Sequence, residues 1–379
     1  MRAEQEQLAR LRVEALQAFH ALPDPDWYDA SIWPSVDLAA STPNTTCRMA
    51  PTALPPGVIC QDLLAPAIAD SELVRQFLGS VVNPTASKFV ALHYAKMDSG
   101  CFVYVPPYTE IQLPLVMNRA SGKSTQNSFH HTLIVADKGA HVRVLQTDEP
   151  ADSSLQMVVD VVEVVALEGA HVELSTWQDH GTDTCLYTLR RGLLQREASV
   201  DWIIGSFGAR ISKETTQSLL HGAGSQSSCL ALFLGSGNQR YNLAVEMLHE
   251  GEHTTSEILT RGVLGHEART IYVGRAAIDR KARYTSSFQR QNTLLLSEHA
   301  RIDTTPELLI DVDEVQAGHA TTVGQVDRDQ LFYLMSRGLS RETAIRMFIH
   351  GFVEPIVQRV PGKDEQTRLI KLIDRKVAI

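Results

Sequence analysis

From Phe89 onward, apolar and polar positions fall into short runs rather than into helical spacing. Phe89-Val-Ala-Leu-His-Tyr, Cys101-Phe-Val-Tyr-Val and Ile111-Gln-Leu-Pro-Leu-Val are β-branched and aromatic, and they predict strands. Past residue 132 the pattern repeats itself. Val135-Ala-Asp-Lys-Gly-Ala-His-Val returns as Val165-Ala-Leu-Glu-Gly-Ala-His-Val, with looser copies at Gln195-Arg-Glu-Ala-Ser-Val and Leu296-Ser-Glu-His-Ala-Arg-Ile. Each copy reads as strand, polar turn, strand. A unit of about 30 residues without intervening helices predicts a solenoid. A parallel β-helix suits it best, with Ala and Gly at the corners and Val, Ile and Leu stacked inward. The competing reading is an antiparallel sandwich or barrel.

Both ends of the chain carry helical patterns. Residues 4–22 place Leu8, Leu11, Leu16 and Phe19 among charges, and Pro23 and Pro25 stop them. Residues 26–60 are proline-rich and irregular, with a capped turn or short strand at Asn44-Thr-Thr-Cys-Arg. Residues 61–79 are helical, interrupted at Pro66 and closed by Gly79. Near the other end, Asp327 and Gln330 form a capping box ahead of Leu331, Leu334 and Met335. Gly338 ends that helix. Ser340 starts the next, whose stripe is Ala344, Ile345, Phe348 and Phe352, with Pro355 kinking or ending it. These stripes are expected to dock on the last rung of the solenoid and close it. The chain divides into a helical region over 1–85, a β-helix core over 86–320 and a C-terminal helical region over 321–379.

Composition narrows the function. The 379 residues are 44% hydrophobic and 21% charged, ordinary for a globular protein. A net charge of −9 disfavours nucleic acid and anionic membranes as partners. No apolar run is long enough to cross a bilayer and the N-terminus lacks an apolar signal core, so a cytoplasmic protein is expected. The cysteines Cys47, Cys60, Cys101, Cys185 and Cys229 form no CxxC pair, which predicts reduced thiols and neither a zinc site nor a disulfide framework.

Several constellations invite chemistry. His249 and His253 have metal-pair spacing, but on strand and turn their imidazoles need not converge. His130 and His131 are adjacent, and His141 and His171 share a repeat position that a solenoid would stack. The acidic runs Asp303-Thr-Thr-Pro-Glu307 and Asp311-Val-Asp-Glu314 resemble the paired carboxylates of β-helix enzymes acting on polysaccharide. Low aromatic content, 6%, argues against a sugar-binding groove. Gly222-Ala-Gly-Ser and Gly235-Ser-Gly-Asn lack the Lys-Ser/Thr of a phosphate-binding loop and read as corners. His319, in Gly318-His319-Ala320-Thr321-Thr322, stands among small residues that leave its imidazole accessible to a metal.

The stretch His319-Ala-Thr-Thr-Val-Gly, Asp329-Gln330-Leu-Phe-Tyr-Leu, Ser336-Arg337-Gly338 and Gly351-Phe352 resembles the C-terminal signature of the SufB/SufD family of iron–sulfur cluster assembly proteins. Gly100-Cys-Phe-Val-Tyr-Val-Pro, His253-Thr-Thr-Ser, Asn292-Thr-Leu-Leu-Leu-Ser and Asp303-Thr-Thr-Pro-Glu-Leu extend the likeness. His at 319 places it on the SufD side, while Ala317 stands where many such members carry Cys, excluding a thiol there. The resemblance implies a flattened right-handed parallel β-helix between helical termini, acting as a non-catalytic scaffold. It implies a SufB-type partner joined through the β-helix. His319 then supplies one ligand to a nascent iron–sulfur cluster shared with that partner. It implies a SufC-type ABC ATPase bound by Gln330, Tyr333, Arg337, Arg341 and Glu342. A flavin in the assembled complex and self-association of the isolated chain belong to the same expectation. The alternatives are a polysaccharide-active β-helix enzyme, or a SufB-like subunit using Cys185 or Cys229 to accept sulfide.

Overall fold

The computed structural model describes residues 5–25, 45–49, 54–121, 127–149 and 156–377. The N-terminal part holds α1 (Gln5–Ala21), β1 (Thr45–Met49), β2 (Ile59–Asp62), α2 (Pro66–Ala69), α3 (Glu72–Phe77) and α4 (Lys88–Lys96). A long β region follows: β3 (Ser99–Val105), β4 (Leu115–Ser121), β5 (Ser128–Ala136), β6 (His141–Glu149), β7 (Gln156–Ala166), β8 (His171–Gln178), β9 (Thr184–Leu194) and β10 (Ser199–Ser206). It continues with β11 (Ile211–Leu220), β12 (Gln226–Gly235), β13 (Arg240–His249), β14 (Thr255–Leu264), β15 (Arg269–Ile278), β16 (Thr285–Leu295), β17 (Arg301–Ile310) and β18 (Val315–Gln325). The chain then turns helical in α5 (Arg328–Ser336), α6 (Arg341–Val357) and α7 (Lys363–Val377).

Even-numbered strands from β4 to β18 lie side by side in one sheet and odd-numbered strands from β3 to β17 in the other. Neighbours within each sheet are parallel, so the chain winds as a β-solenoid rather than a sandwich of hairpins. Among the described residues only the capping strands reverse: β1 pairs antiparallel with β4, and β2 with β3. His141, His171, Ser199, Gln226, Thr255, Ser286 and Gln316 stand in one column. One turn therefore consumes about 30 residues, the period of the sequence repeat.

The repeat has a packing reason. Ala140, Ala170 and Ala198 are fully or almost fully buried at one corner, where a larger side chain would meet the rung above. The valines that follow, Val142, Val172 and Val200, stack inward. Burial of each such side chain contributes about 1.5–3 kcal/mol. The fourth copy, 296–302, lies at the opposite corner between β16 and β17, where Ala268 and Ala300 are the buried small residues. The two corners share a solution, which is why their sequences look alike.

Gly222 confirms its reading as a corner. A Cβ there would lie 2.0 Å from the backbone N of Arg196 and 2.2 Å from the carbonyl carbon of Gln195. Neither atom can move without displacing a rung, so Gly222→Ala is expected to cost about 1–3 kcal/mol in urea unfolding. At Gly237, with open space around it, alanine meets only the strain of a positive φ, about 1 kcal/mol. Equal costs at the two positions would contradict this account.

The run from Phe89, expected as a strand, is α4. Ser87 caps it by accepting a hydrogen bond from the backbone N–H of Val90, and every residue from Phe89 to Tyr94 is buried. It lies between α1 and the solenoid, where Ala15, Phe89 and Val90 join Val159, Val161 and Leu189. A helix enclosed on all sides shows no 3.6-residue period, so a short apolar run cannot be told from a strand by pattern. The strand expected from Ile111 begins only at Leu115. Residues 45–49 form the strand alternative of the two readings given to that stretch.

The C-terminal helices start and stop where their signals stand. Asp327 accepts from the backbone N–H groups of Asp329 and Gln330, Gly338 has φ +95°, and Ser340 accepts from Thr343. Helix α6 runs two residues past Pro355. Their docking differs from expectation. Ile349, Val353, Ile356, Leu369, Leu372 and Ile373 pack on Trp177, Ile203, Leu230, Leu232 and Leu259 of the even-numbered sheet. The helices thus cover a flank of the solenoid and leave its last rung open. The apolar flank offers far more area than the rung end, so burial favours the flank.

Among the described residues no helix is long and apolar enough to cross a membrane. Cys60, Cys185 and Cys229 form no disulfide. Cys101, expected as a reduced thiol, is disulfide-bonded and fully buried. Such a pairing depends on how the capping strands fold back, which cysteine spacing does not carry.

Candidate functional site

β17 and β18 end their sheets, so their outer edges present unpaired backbone groups. His319 lies on β18 in register with Gln289 of β16, and its side chain is exposed. Ala317, Gly318, Ala320 and Thr321 leave the imidazole unobstructed. A Cβ on Gly318 would come 3.4 Å from the ring of Phe288, itself 51% exposed. Leu309, Ile310 and Val323 add apolar surface to the same rung. An accessible imidazole on an open strand edge can ligate a metal from outside the fold. Among the described residues no group of three His, Cys, Asp or Glu side chains is placed to hold a metal alone.

The five residues expected at a partner surface are all exposed, but they separate into three places. Gln330 borders a cleft of about 470 Å3 between α5 and α6, lined also by Leu334, Met347, Phe348 and Phe352. Arg337 donates to the Tyr333 hydroxyl at 3.1 Å and lies over its ring at 5.2 Å. Arg341 and Glu342 border a second cleft of about 380 Å3 with His266, Leu296 and Ile345. Helix α5 buries no residue at all, and Phe332 is 72% exposed beside Tyr333 and Met335. Phe332 was not singled out from sequence, since it lies off the expected stripe, whereas Met335 belongs to that stripe and is exposed all the same.

The other histidines resolve into structural roles. His249 points inward, bonded to Thr254 at 2.8 Å and Ser256 at 2.9 Å, while His253 is exposed and stacks on Tyr284. The pair does not converge. His141 and His171 stand in register on neighbouring rungs as the repeat predicts, their rings edge to face with centroids 4.4 Å apart. His130 and His131 face opposite sides of β5. His130 bonds Ser99 inside the solenoid, and His131 lies 3.0 Å from His93 on α4. Burial pulls His93 and His130 well below the ordinary histidine range, with neighbouring histidines for His93 and Arg119 for His130 adding to it.

Two buried acids were not anticipated. Glu163 accepts from the backbone N–H groups of Gly79, Val81 and Val82 and from the Tyr94 hydroxyl at 2.7–2.9 Å, with His131 at 3.2 Å. Burial would raise its pKa, but these bonds, led by His131, hold it below the usual value. Asp160 faces the interior and shares Arg119 with Asp148, at 2.6 and 2.7 Å. Burial opposes ionisation of Asp148 too, and Arg119 outweighs it. The acidic runs near the C-terminal end are tied up in surface pairs: Glu307 with Arg275 at 2.6 Å and Glu314 with Arg283 at 2.8 Å.

Residues 117–352 match the family described as SUF system FeS cluster assembly, SufBD core domain. The chain is similar to the iron–sulfur cluster assembly protein SufD of Bacillus subtilis, with 34% identity over 329 residues, 85% of this chain and 74% of that protein. It is likewise similar to an iron–sulfur cluster assembly SufBD family protein of Staphylococcus epidermidis, with 30% identity over 318 residues, 83% of this chain and 68% of that one.

Proposed function

This chain belongs to the SufBD family of iron–sulfur cluster assembly proteins and is SufD-like, and we propose that it serves there as a non-catalytic scaffold subunit. In this reading the open rung formed by β17 and β18 joins a SufB-type β-helix, and His319 lends one ligand to a cluster whose thiolates come from the partner. The cluster is cargo, built at the junction and passed on. The observation that carries the reading is the uncovered end of the solenoid: the helices leave it free, and the one histidine on its last strand is exposed.

A SufC-type ATPase would dock on α5 and the α5–α6 cleft. A helix that buries nothing of its own, with Phe332, Tyr333 and Met335 outward, gains stability only when another surface covers it. Arg337, Arg341 and Glu342 would supply the polar rim, and hydrolysis in the partner would shift the helices against the solenoid flank. The flavin that the resemblance implies has no site that we assign on the described residues. Of the alternatives, sulfide acceptance by Cys229 is disfavoured, because burial pushes its thiol up to about 12. The polysaccharide reading loses Glu307 and Glu314 to their ion pairs.

The test is anaerobic co-expression with SufB-type and SufC-type partners, purification on this chain, and assay of stoichiometry, iron and acid-labile sulfide. A ternary complex carrying a cluster is expected. His319→Ala should leave complex formation and Tm unchanged, because the side chain is exposed, while iron and sulfide fall to background. Full cluster content in that variant would remove His319 from the role.

A further inference from the structure

Charged side chains in register across the rungs of this solenoid are matched in sign. Arg119 faces Asp148, Arg143 faces Glu173, and Glu246, Arg275 and Glu307 alternate on β13, β15 and β17. Where two carboxylates do fall opposite, at Glu173 and Asp201, each has its own partner: Arg143 for the first, His171 and Ser228 for the second.

One row departs from this. Arg240, Arg269 and Arg301 open β13, β15 and β17 and are direct register partners. All three are exposed, and among the described residues none of their side chains has a hydrogen-bond or ion-pair partner. Parallel strands lie about 4.8 Å apart, so three guanidinium groups share a span of about 10 Å. Like charges directly opposite one another weaken a sheet. Glu267 and Asp303 stand two residues from Arg269 and Arg301 and pair with neither, and Glu298 is taken by Arg328. The next row on the same outer face is Asn242, Ile271 and Asp303, followed by Ala244, Val273 and Thr305, so among the described residues Asp303 is the one acid on the face near the arginines.

We propose that this row is a docking site for an acidic segment of a partner protein, laid along the solenoid axis across β13, β15 and β17. Each guanidinium presents a planar fork of donors that matches a carboxylate, and its charge is fixed. Alternate residues of an extended chain lie about 7 Å apart on one side, so two or three acidic side chains fall within reach of the row. The chain's net charge of −9 favours such a sparsely charged segment over nucleic acid, whose dense charge is repelled at long range. The proposal stands apart from the scaffold reading and does not need it.

The probe is a fluorescently labelled hexapeptide with glutamate at alternate positions and serine between them, followed by anisotropy at low and raised salt, against the native chain and Arg269→Glu. Binding that weakens with salt and at least tenfold in the variant is expected. The variant converts the row to Arg–Glu–Arg, so its Tm should be unchanged or about 1–2 °C higher. Absence of peptide binding, equal binding to the variant, or a Tm lowered by several degrees would overturn the proposal. Tighter binding of a duplex DNA oligonucleotide than of the peptide would overturn it in favour of a nucleic-acid face.

Discussion

Glu163→Ala is expected to destabilise the protein by about 3–5 kcal/mol and to release the 72–96 segment from the solenoid. The carboxylate is fully buried, and it is the shared acceptor for three backbone N–H groups of the turn 79–82 and for the Tyr94 hydroxyl. Alanine would leave the three backbone donors without acceptors in a dry site, while the Tyr94 hydroxyl could turn to the Val82 carbonyl 3.1 Å away. Urea unfolding gives the loss in stability. Limited proteolysis should show new cleavage between α3 and α4 before any in the solenoid. A loss below about 1 kcal/mol, or cleavage spread evenly along the chain, would mean that apolar contacts and not this carboxylate hold the segment.

The same strand shows what a sequence can and cannot disclose. Met157–Ala166 is apolar on both alternating faces, which already says that both faces are buried. Two acids in such a strand must have partners inside the protein. Those partners, Arg119 and the 79–82 turn, lie tens of residues away and no local pattern points to them. The solenoid itself was legible because its repeat is a packing rule written once per turn, with Ala140, Ala170 and Ala198 as its mark. Helix α4 was not, since complete enclosure erased its period. The caps of α5 and α6 are local hydrogen bonds and could be read directly. Where the helices dock is a competition between two distant surfaces and could not.

That docking shapes the candidate site. Had α5 and α6 closed the last rung, His319 would be covered and the edges of β17 and β18 satisfied. With the flank occupied instead, the solenoid has one edge, at its C-terminal end, that ends in backbone groups, apolar side chains and an exposed imidazole. An open parallel edge invites another strand layer. A second β-helix can continue the stack there, which is the geometry that a shared cluster at a subunit junction requires.

Acidification from pH 7.5 to pH 5 is expected to lower stability steeply, well before carboxylates titrate in the unfolded chain. His93, His130 and His249 are buried and uncharged, and burial holds each below the ordinary histidine pKa of about 6.5, His249 at about 4. As pH falls past 6.5 the unfolded chain takes up protons at these positions and the folded chain does not. Each histidine therefore costs about 1.4 kcal/mol per pH unit, in the direction of lower stability at lower pH. Asp98 works the other way. Burial pushes it up to about 6, so between pH 6 and 4 the folded chain holds a proton that the unfolded chain lacks. His171, lowered, acts in the same direction as the buried histidines, and Glu173, raised, in the same direction as Asp98. About two net protons remain, a slope near 3 kcal/mol per pH unit below pH 6. Further down, protonation of Glu163 and Asp148 removes the bonds that hold them and continues the decline with the same sign. Urea midpoints measured at pH 7.5, 6.5, 5.5 and 5 should fall progressively. In His249→Asn the slope should shrink by about a third to a half, since asparagine keeps a hydrogen bond to Thr254 or Ser256 without titrating. A midpoint that stays flat down to pH 5 would mean that these imidazoles open to water before they charge.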